Sequence, residues 1–300
     1  MERKKFIRDS GIVVFGISAF GNLGWSEDHF VGDSPTTTDI LGPFYRPGAP
    51  FRTDLNPNGF SGEVLNLFGT LYKEDGKTPV NNALIETWQC QEDGLYDNTS
   101  DNFIYRASQL TNKKGKYSFT TTLPVPEPVD EKLSIFRPAH IHLRISSAGH
   151  QDLVTQIYFQ GDLHLATDPS TKSELAATRI LTVKRTDVRK SEIRFDIILK
   201  NERLADEAVF RGVEGIYKMD NGSLMEFYRS GDLLFYKTNG QIWGAMAYNG
   251  DNTFGGPEND TEAKFQLSSD GNARTWFRFS RRKETISEGV KILHYNEEKP

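Results

Sequence analysis

The run Phe136-Arg137-Pro138-Ala139-His140-Ile141-His142-Leu143-Arg144-Ile145 has the plainest chemical potential in this sequence. Read as a strand, it places Ala139, Ile141, Leu143 and Ile145 on one face and His140, His142 and Arg144 on the other, because side chains alternate with period two. Two imidazoles at i and i+2 then project side by side from a stiff backbone, a geometry that suits two ligands of one metal ion. The same spacing fits a strand with a polar outer face, so the pair alone leaves both readings open. Arg144 shares that face, either as a solvated edge arginine or as a cation for a substrate carboxylate. His150 follows a glycine in a turn and His164 follows a Gly-Asp turn; both are expected at the surface. The one cysteine, Cys90, excludes an internal disulfide framework and any multi-cysteine metal site. It lies in the strand-like run from Leu84 and reads as a small core residue, with Trp88 as core packing beside it. There is no glycine-rich phosphate loop and no Gly-x-Ser-x-Gly elbow.

The elements around this run are mostly strands. Glycine (26) and proline (13) are abundant, aromatics reach 12%, and short alternating segments recur between Gly, Asn and Asp clusters, which is an all-β signature. Strands are predicted at 66–72, 83–90, 116–121, 139–145, 153–159 and 192–199, a sandwich pattern. Helices are plausible only at 171–179 and 202–211. From Gly212 onward tight turns take over, at Asp220-Asn221-Gly222, Ser230-Gly231-Asp232, Asn239-Gly240 and Ser269-Asp270-Gly271-Asn272. Asn-Gly and Asp-Gly turns between alternating hydrophobics signal hairpins. The reading is a sandwich over 41–204 and an antiparallel β-meander domain over 205–300 with no metal-binding cluster of its own, whose default role is packing or interaction.

At the N-terminus, Arg3, Lys4, Lys5 and Arg8 precede an apolar run, Gly11 to Phe20, that is too short to span a bilayer. A basic region before a short apolar run has export-signal anatomy. The stretch from Arg3 to Arg8 resembles a twin-arginine signal with Lys4 in the second arginine's place. Residues 1–21 are therefore read as an export signal, with a cytosolic amphipathic helix as the alternative, and 22–40 as a polar linker or arm. An exported protein of this kind would be periplasmic or extracellular. A net charge of −5 with acids and bases interspersed gives no nucleic-acid footprint. No membrane span is expected, and a homo-oligomer stays open.

The Arg137-to-His142 run, with Trp88-Gln89-x-x-x-x-Gly94-x-Tyr96 upstream and Thr155-Gln156-x-Tyr158-Phe159-x-Gly161-Asp162 downstream, resembles the intradiol ring-cleavage dioxygenases that act on catechol and protocatechuate. Gly42-Pro43-Phe44-Tyr45 and Gly115-x-Tyr117-x-Phe119 match in type and order, so the resemblance covers about residues 36–200. It implies Fe(III) held by two tyrosinates and two histidines, and insertion of both atoms of O2 between the hydroxyl-bearing carbons of an aromatic diol. On the matching positions, Tyr96 is the first tyrosine ligand and His140 and His142 are the histidine ligands. Arg137 is the arginine that stabilises charge developing on the substrate, and Gln156 the glutamine behind the site. Tyr45 would line the substrate mouth, or simply anchor its loop.

One ligand departs from the pattern. The second tyrosine is expected thirteen residues before the first histidine, in a proline-flanked loop, and that loop reads Pro124-Val125-Pro126-Glu127-Pro128. Glu127 stands where the family has tyrosine. A carboxylate keeps a hard anionic oxygen for Fe(III). It is a weaker base than a tyrosinate, however, with ordinary values of about 4.3 against about 10, so roughly 8 kcal/mol separates the free groups. His140, His142 and Glu127 also have the composition of the two-histidine, one-carboxylate set found with Fe(II). A retuned iron enzyme acting on a phenolic or polyhydroxylated substrate, and a non-catalytic β-sandwich binding module, are the rival readings.

Overall fold

The computed structural model describes the chain except for residues 1–12, 19–20, 27–28, 33–34, 58–59, 61, 131, 133, 258–259, 281–283 and 295–300, and for 13–32 it describes strand backbone only. Most of the predicted export segment therefore lies outside the described residues. The polar stretch read as a linker carries strands instead. β1 (Val13–Ser18), β2 (Gly21–Ser26) and β3 (His29–Gly32) form an antiparallel sheet of their own. Its order comes from backbone pairing, which an aperiodic side-chain pattern does not announce.

Two compact units follow. The first holds the predicted sandwich. Its strands are β4 (Val64–Tyr72), β5 (Leu84–Trp88), β6 (Arg106–Leu110), β7 (Lys116–Thr121), β8 (Glu127–Asp130), β9 (Ile135–Arg137), β10 (His140–Ser146), β11 (Leu153–Phe159), β12 (Ile180–Leu181), β13 (Lys184–Asp187), β14 (Lys190–Arg194) and β15 (Ile197–Ile198). One sheet runs β12-β11-β10-β5-β6; the other runs β13-β14-β4-β15 with β7 also on β4. β4 and β7 show the alternation expected of strands with one face inward. Leu65, Leu67 and Leu71 are buried on the first and Tyr117 and Phe119 on the second, with Leu67 in register with Phe119. β10 lies between β11 and β5 and is buried along both faces.

Local details differ from the sequence reading where side chains compete with the ladder. The strand predicted over 192–199 is split, because Phe195 donates to the Phe68 carbonyl and the Asp196 carboxylate takes the Thr70 amide. The helix predicted over 171–179 shrinks to a 3₁₀ turn, Glu174–Arg179, capped by the Ser173 hydroxyl, since the preceding residues are held in turns around Asp168. The helix predicted over 202–211 is α1 (Glu207–Val213), with Phe210 and Val213 on its buried side.

The second unit comprises Glu202–Pro300 together with two short segments, Thr38–Tyr45 and Gly149–Thr155, the latter taking in the first three residues of β11. Its strands are β16 (Gly215–Met219), β17 (Leu224–Ser230), β18 (Leu233–Thr238), β19 (Gln241–Gly250), β20 (Thr253–Gly255), β21 (Thr261–Leu267), β22 (Ala273–Phe279) and β23 (Thr285–Leu293). The meander is a closed barrel, since β16 pairs antiparallel with β23 as well as with β17. Asn239-Gly240 turns with positive φ at both positions (53° and 79°), the hairpin geometry its sequence predicts. Phe210, Tyr217, Phe227, Met246, Phe254 and Phe265 belong to the barrel's hydrophobic core, as expected of an eight-stranded barrel whose interior is filled by side chains. Among the described residues no helix is long and apolar enough to cross a membrane.

Candidate metal centre

The loop after β5, the β8–β9 hairpin and strands β10 and β11 of the first unit bring Tyr96, Glu127, Arg137, His140, His142 and Gln156 together. β10 supplies His140 and His142, both buried. The Pro138 carbonyl lies 2.7 Å from His140 Nδ1. A carbonyl only accepts, so Nδ1 carries the proton and Nε2 turns its lone pair inward, the usual outer support of a metal-binding imidazole. His142 is held differently. Its Nδ1 makes no hydrogen bond, and its ring stacks on Trp88, the residue opposite it on β5, at 4.8 Å and 9°. Trp88 is thus core packing, as read, but packing against a candidate ligand.

Tyr96 comes from the loop between β5 and β6. Asp97 organises that loop by accepting from the amides of Ser100 and Ile104, while the buried Arg106 donates to the Asp97 carbonyl and to Asn98. Gly94 adopts φ +80°, and a Cβ there would stand 2.8 Å from Pro128 Cδ and 3.4 Å from the Pro126 carbonyl oxygen. Its bare backbone lets the tyrosine loop close against the proline-flanked loop that carries Glu127. Glu127 opens β8 in register with Arg137 on β9, so one hairpin presents both.

The polar atoms converge. Tyr96 Oη is 3.2 Å from His140 Nε2 and 3.1 Å from His142 Nε2, and the two Nε2 atoms are 3.1 Å apart. Glu127 Oε2 stands 3.2 Å from His140 Nε2. Adjacent ligands of an octahedral ion with bonds of roughly 2.1 Å are about 3 Å apart, so these edges fit donors sharing one ion. Two imidazoles, a phenol and a carboxylate make a nitrogen and anionic-oxygen set suited to iron. Among the described residues no cluster of His, Cys, Asp and Glu alone could hold a metal ion; Tyr96 is what completes this one.

Protonation at the site follows burial and the neighbouring charges. Burial, and then the Glu127 charge, push the Tyr96 phenol well above its ordinary value. Burial alone would raise Glu127, but its neighbours His140 and Arg137 together hold the carboxyl below its usual value. Burial, followed by His140, Arg137 and Arg106, drives His142 well below the ordinary histidine value, so it stays neutral and able to ligate. Burial and the Glu127 charge push the Cys90 thiol up to about 12, in line with a core residue.

Arg137 flanks the cluster. Its Nη1 lies 3.3 Å from His140 Nε2 and 3.9 Å from Glu127 Oε2. Its Nη2 donates to Gln156 Oε1 (3.0 Å) and to the Tyr158 hydroxyl (3.1 Å), and Tyr158 in turn donates to Gln156. Its Nε donates to Asp168 Oδ2 at 3.0 Å. Tyr158 and Asp168 were missed from sequence. Tyr158 had a signal, being two residues after Gln156 on β11 and so on its face; Asp168 had none.

Other expectations change. Arg144 is a buried partner of Glu86, its neighbour on β5, at 3.7 Å, and neither a solvated edge residue nor a cation open to substrate. His150 is buried rather than at the surface. Tyr45 is buried in the second unit with its ring edge-on to Phe235 at 5.7 Å, the anchoring contact that the sequence left as the alternative to a place at the substrate mouth.

The sandwich and its Tyr-His-His constellation define a class. A family model described as Dioxygenase matches residues 40–201, more than half of the chain, and the chain belongs to the intradiol ring-cleavage dioxygenase family. It is 35% identical over 159 residues to an intradiol ring-cleavage dioxygenase of Aspergillus niger, covering 46% of this chain and 49% of that one. It is 35% identical over 180 residues to catechol 1,2-dioxygenase 2 of Acinetobacter lwoffii, covering 53% and 62%. Among solved structures, catechol 1,2-dioxygenase from Pseudomonas arvilla superimposes with a TM-score of 0.50 at 26% identity, over 57% of this chain and 64% of that one. The chain thus spans between about half and two thirds of the length of these relatives.

Proposed function

We propose that this protein is an iron-dependent dioxygenase that cleaves a catechol-type aromatic between its hydroxyl-bearing carbons, with O2 as co-substrate. Tyr96, Glu127, His140 and His142 hold the iron. The observation that carries this reading is the convergence of those four side chains beside Arg137. Its support is the family, whose relatives include proteins named for catechol and chlorocatechol cleavage. Iron, when bound, supplies the Lewis-acidic and redox-active centre at which diol and O2 react. The rest falls to the chain. Tyr96 gives up its proton only when a cation replaces it, because burial beside Glu127 otherwise keeps the phenol neutral. Glu127 is the nearest carboxylate to take a proton from a substrate hydroxyl, and it does so more weakly than a tyrosinate would. Arg137 places a fixed positive charge beside His140, where negative charge gathers on the ring-opening substrate.

Glu127 also carries a second reading. One tyrosinate, two histidines and a carboxylate suit Fe(II) as well as Fe(III), and an enzyme so retuned would act on a phenolic or polyhydroxylated substrate outside the simple catechols. The basic start and short apolar run of residues 1–21 support export of the protein from the cytoplasm.

Metal analysis, a visible spectrum and O2 uptake on a panel of catechols test the reading. Stoichiometric iron, a tyrosinate-to-Fe(III) band and a ring-opened product carrying both atoms of labelled O2 are expected. His140→Ala and His142→Ala should each reduce bound iron to background with the far-ultraviolet dichroism unchanged. Full iron in both variants, or no O2 uptake with any catechol, overturns it.

A further inference from the structure

Arg137 could not act as a fixed charge if its own side chain were free to choose among partners, and two carboxylates compete for it. Glu127 approaches Nη1 at 3.9 Å and Asp168 binds Nε at 3.0 Å. We propose that Asp168 positions Arg137 for the reaction, turning the Nη1 edge toward the metal-binding atoms and keeping the guanidinium from collapsing onto Glu127. This rests on the dioxygenase reading for its kinetic consequence, but the geometry stands by itself. Each end of the guanidinium has a distinct task. Nε goes to Asp168, Nη2 to Gln156 and Tyr158, and Nη1 faces His140 and Glu127.

Asp168 is built to hold still. It is buried, its Oδ1 accepts from the Ser170 amide at 2.8 Å, and its own amide donates to the His164 carbonyl. Its carbonyl accepts from the Thr171 amide and hydroxyl, at 3.2 Å each. The same loop pins the start of the ligand strand, because Asp162 Oδ2 accepts from the Ala139 amide at 2.8 Å, one residue before His140. One loop therefore sets both the histidine strand and the arginine. A carboxylate with one oxygen on the backbone and the other on Nε fixes a planar guanidinium in a way that a flexible partner would not. Removing it leaves a buried charge with Glu127, a candidate iron ligand, 3.9 Å from Nη1.

The experiment compares Asp168→Ala, Asp168→Asn and Arg137→Ala with the double variant Arg137→Ala/Asp168→Ala, all as iron-loaded full chain. Asp168→Ala should lower kcat on the order of 10- to 100-fold with KM and iron content little changed, since alignment in the reacting complex is what is lost. Asp168→Asn keeps an acceptor for Nε and should recover most of the loss. In the Arg137→Ala background, Asp168→Ala should cost nothing further. Equal losses in both backgrounds, or loss of iron in parallel with activity, would overturn the assignment and mark Asp168 as merely structural. A second measurement needs no turnover. In metal-free protein the Arg137 Nε–H resonance, identified by its absence in Arg137→Lys, should be protected from exchange and should lose that protection in Asp168→Ala. Protection that survives in Asp168→Ala refutes the clamp. A protected signal in a wild-type protein that cleaves no catechol upholds the clamp and refutes the dioxygenase reading.

Discussion

Glu127 stands where the sequence resemblance places a second tyrosine ligand, and on the proposed reading no other tyrosine takes that role. Tyr105 donates to Glu92, and Tyr117 donates to the Phe195 carbonyl between β14 and β15. Tyr158 is spent on Gln156 and Arg137. The wild-type protein should therefore show the spectrum of one tyrosinate. Glu127→Tyr should strengthen the visible charge-transfer band of the iron-loaded protein and raise turnover of simple catechols, because a second phenolate donates more strongly and takes a proton more readily. An unchanged spectrum and unchanged turnover would show that position 127 does not touch the iron. At this scale the candidate ligands were legible because each has a local signature: alternation for His140 and His142, an ordered motif for Tyr96, and spacing for Glu127. Asp168 and Arg144 were not. Their roles depend on which carboxylate or guanidinium a distant segment delivers, and the Arg144 partner Glu86 lies on a neighbouring strand.

The elements that hold the ligands meet through backbone as much as side chain. Gly94 is the clearest case, with φ +80° and no room for a Cβ beside Pro128. A left-handed non-glycine residue costs about 1–3 kcal/mol, before any displacement of the proline. Gly94→Ala should leave the dichroism intact while lowering the affinity for iron on the order of tenfold, because it pushes the Tyr96 loop away from the Glu127 loop. An iron titration with wild-type affinity in Gly94→Ala would show that the two loops adjust independently. Sequence patterning located the longer strands β4, β5, β7, β10 and β11 but not the short β6, β8, β9, β12 and β13, since burial on one face writes a period of two into strands such as β4 and β7. It began both helices too early and stopped the second two residues short, because two apolar residues in one turn, such as Phe210 and Val213, do not define an end. It could not see that β14 and β15 pair parallel to β4, since partners in parallel strands are joined by long connections with no local mark.

For the molecule as a whole, the question is whether the site depends on the barrel. The hairpin turns made the meander legible, but closure rests on β16 meeting β23, from Ile216 with Leu293 to Met219 with Gly289, a pairing that no turn residue encodes. Closure leaves no free edge and encloses an aromatic core in which the Phe227 ring lies 5.3 Å from Tyr217, 5.1 Å from Phe265 and 6.1 Å from Phe277. Phe227→Ala should cost about 3–5 kcal/mol, because a fully buried ring leaves a cavity among rigid neighbours. For a unit of this size each kcal/mol lowers the melting temperature by about 4–8 °C, so the barrel transition should fall by roughly 12 °C or more. None of the four donor side chains belongs to the second unit. Calorimetry of the iron-loaded full chain should then show one transition moving and the other holding, with iron per chain at 25 °C unchanged in Phe227→Ala. A single transition that moves as one, with iron lost in proportion, would mean that the two units unfold cooperatively and that the barrel stabilises the site it does not build.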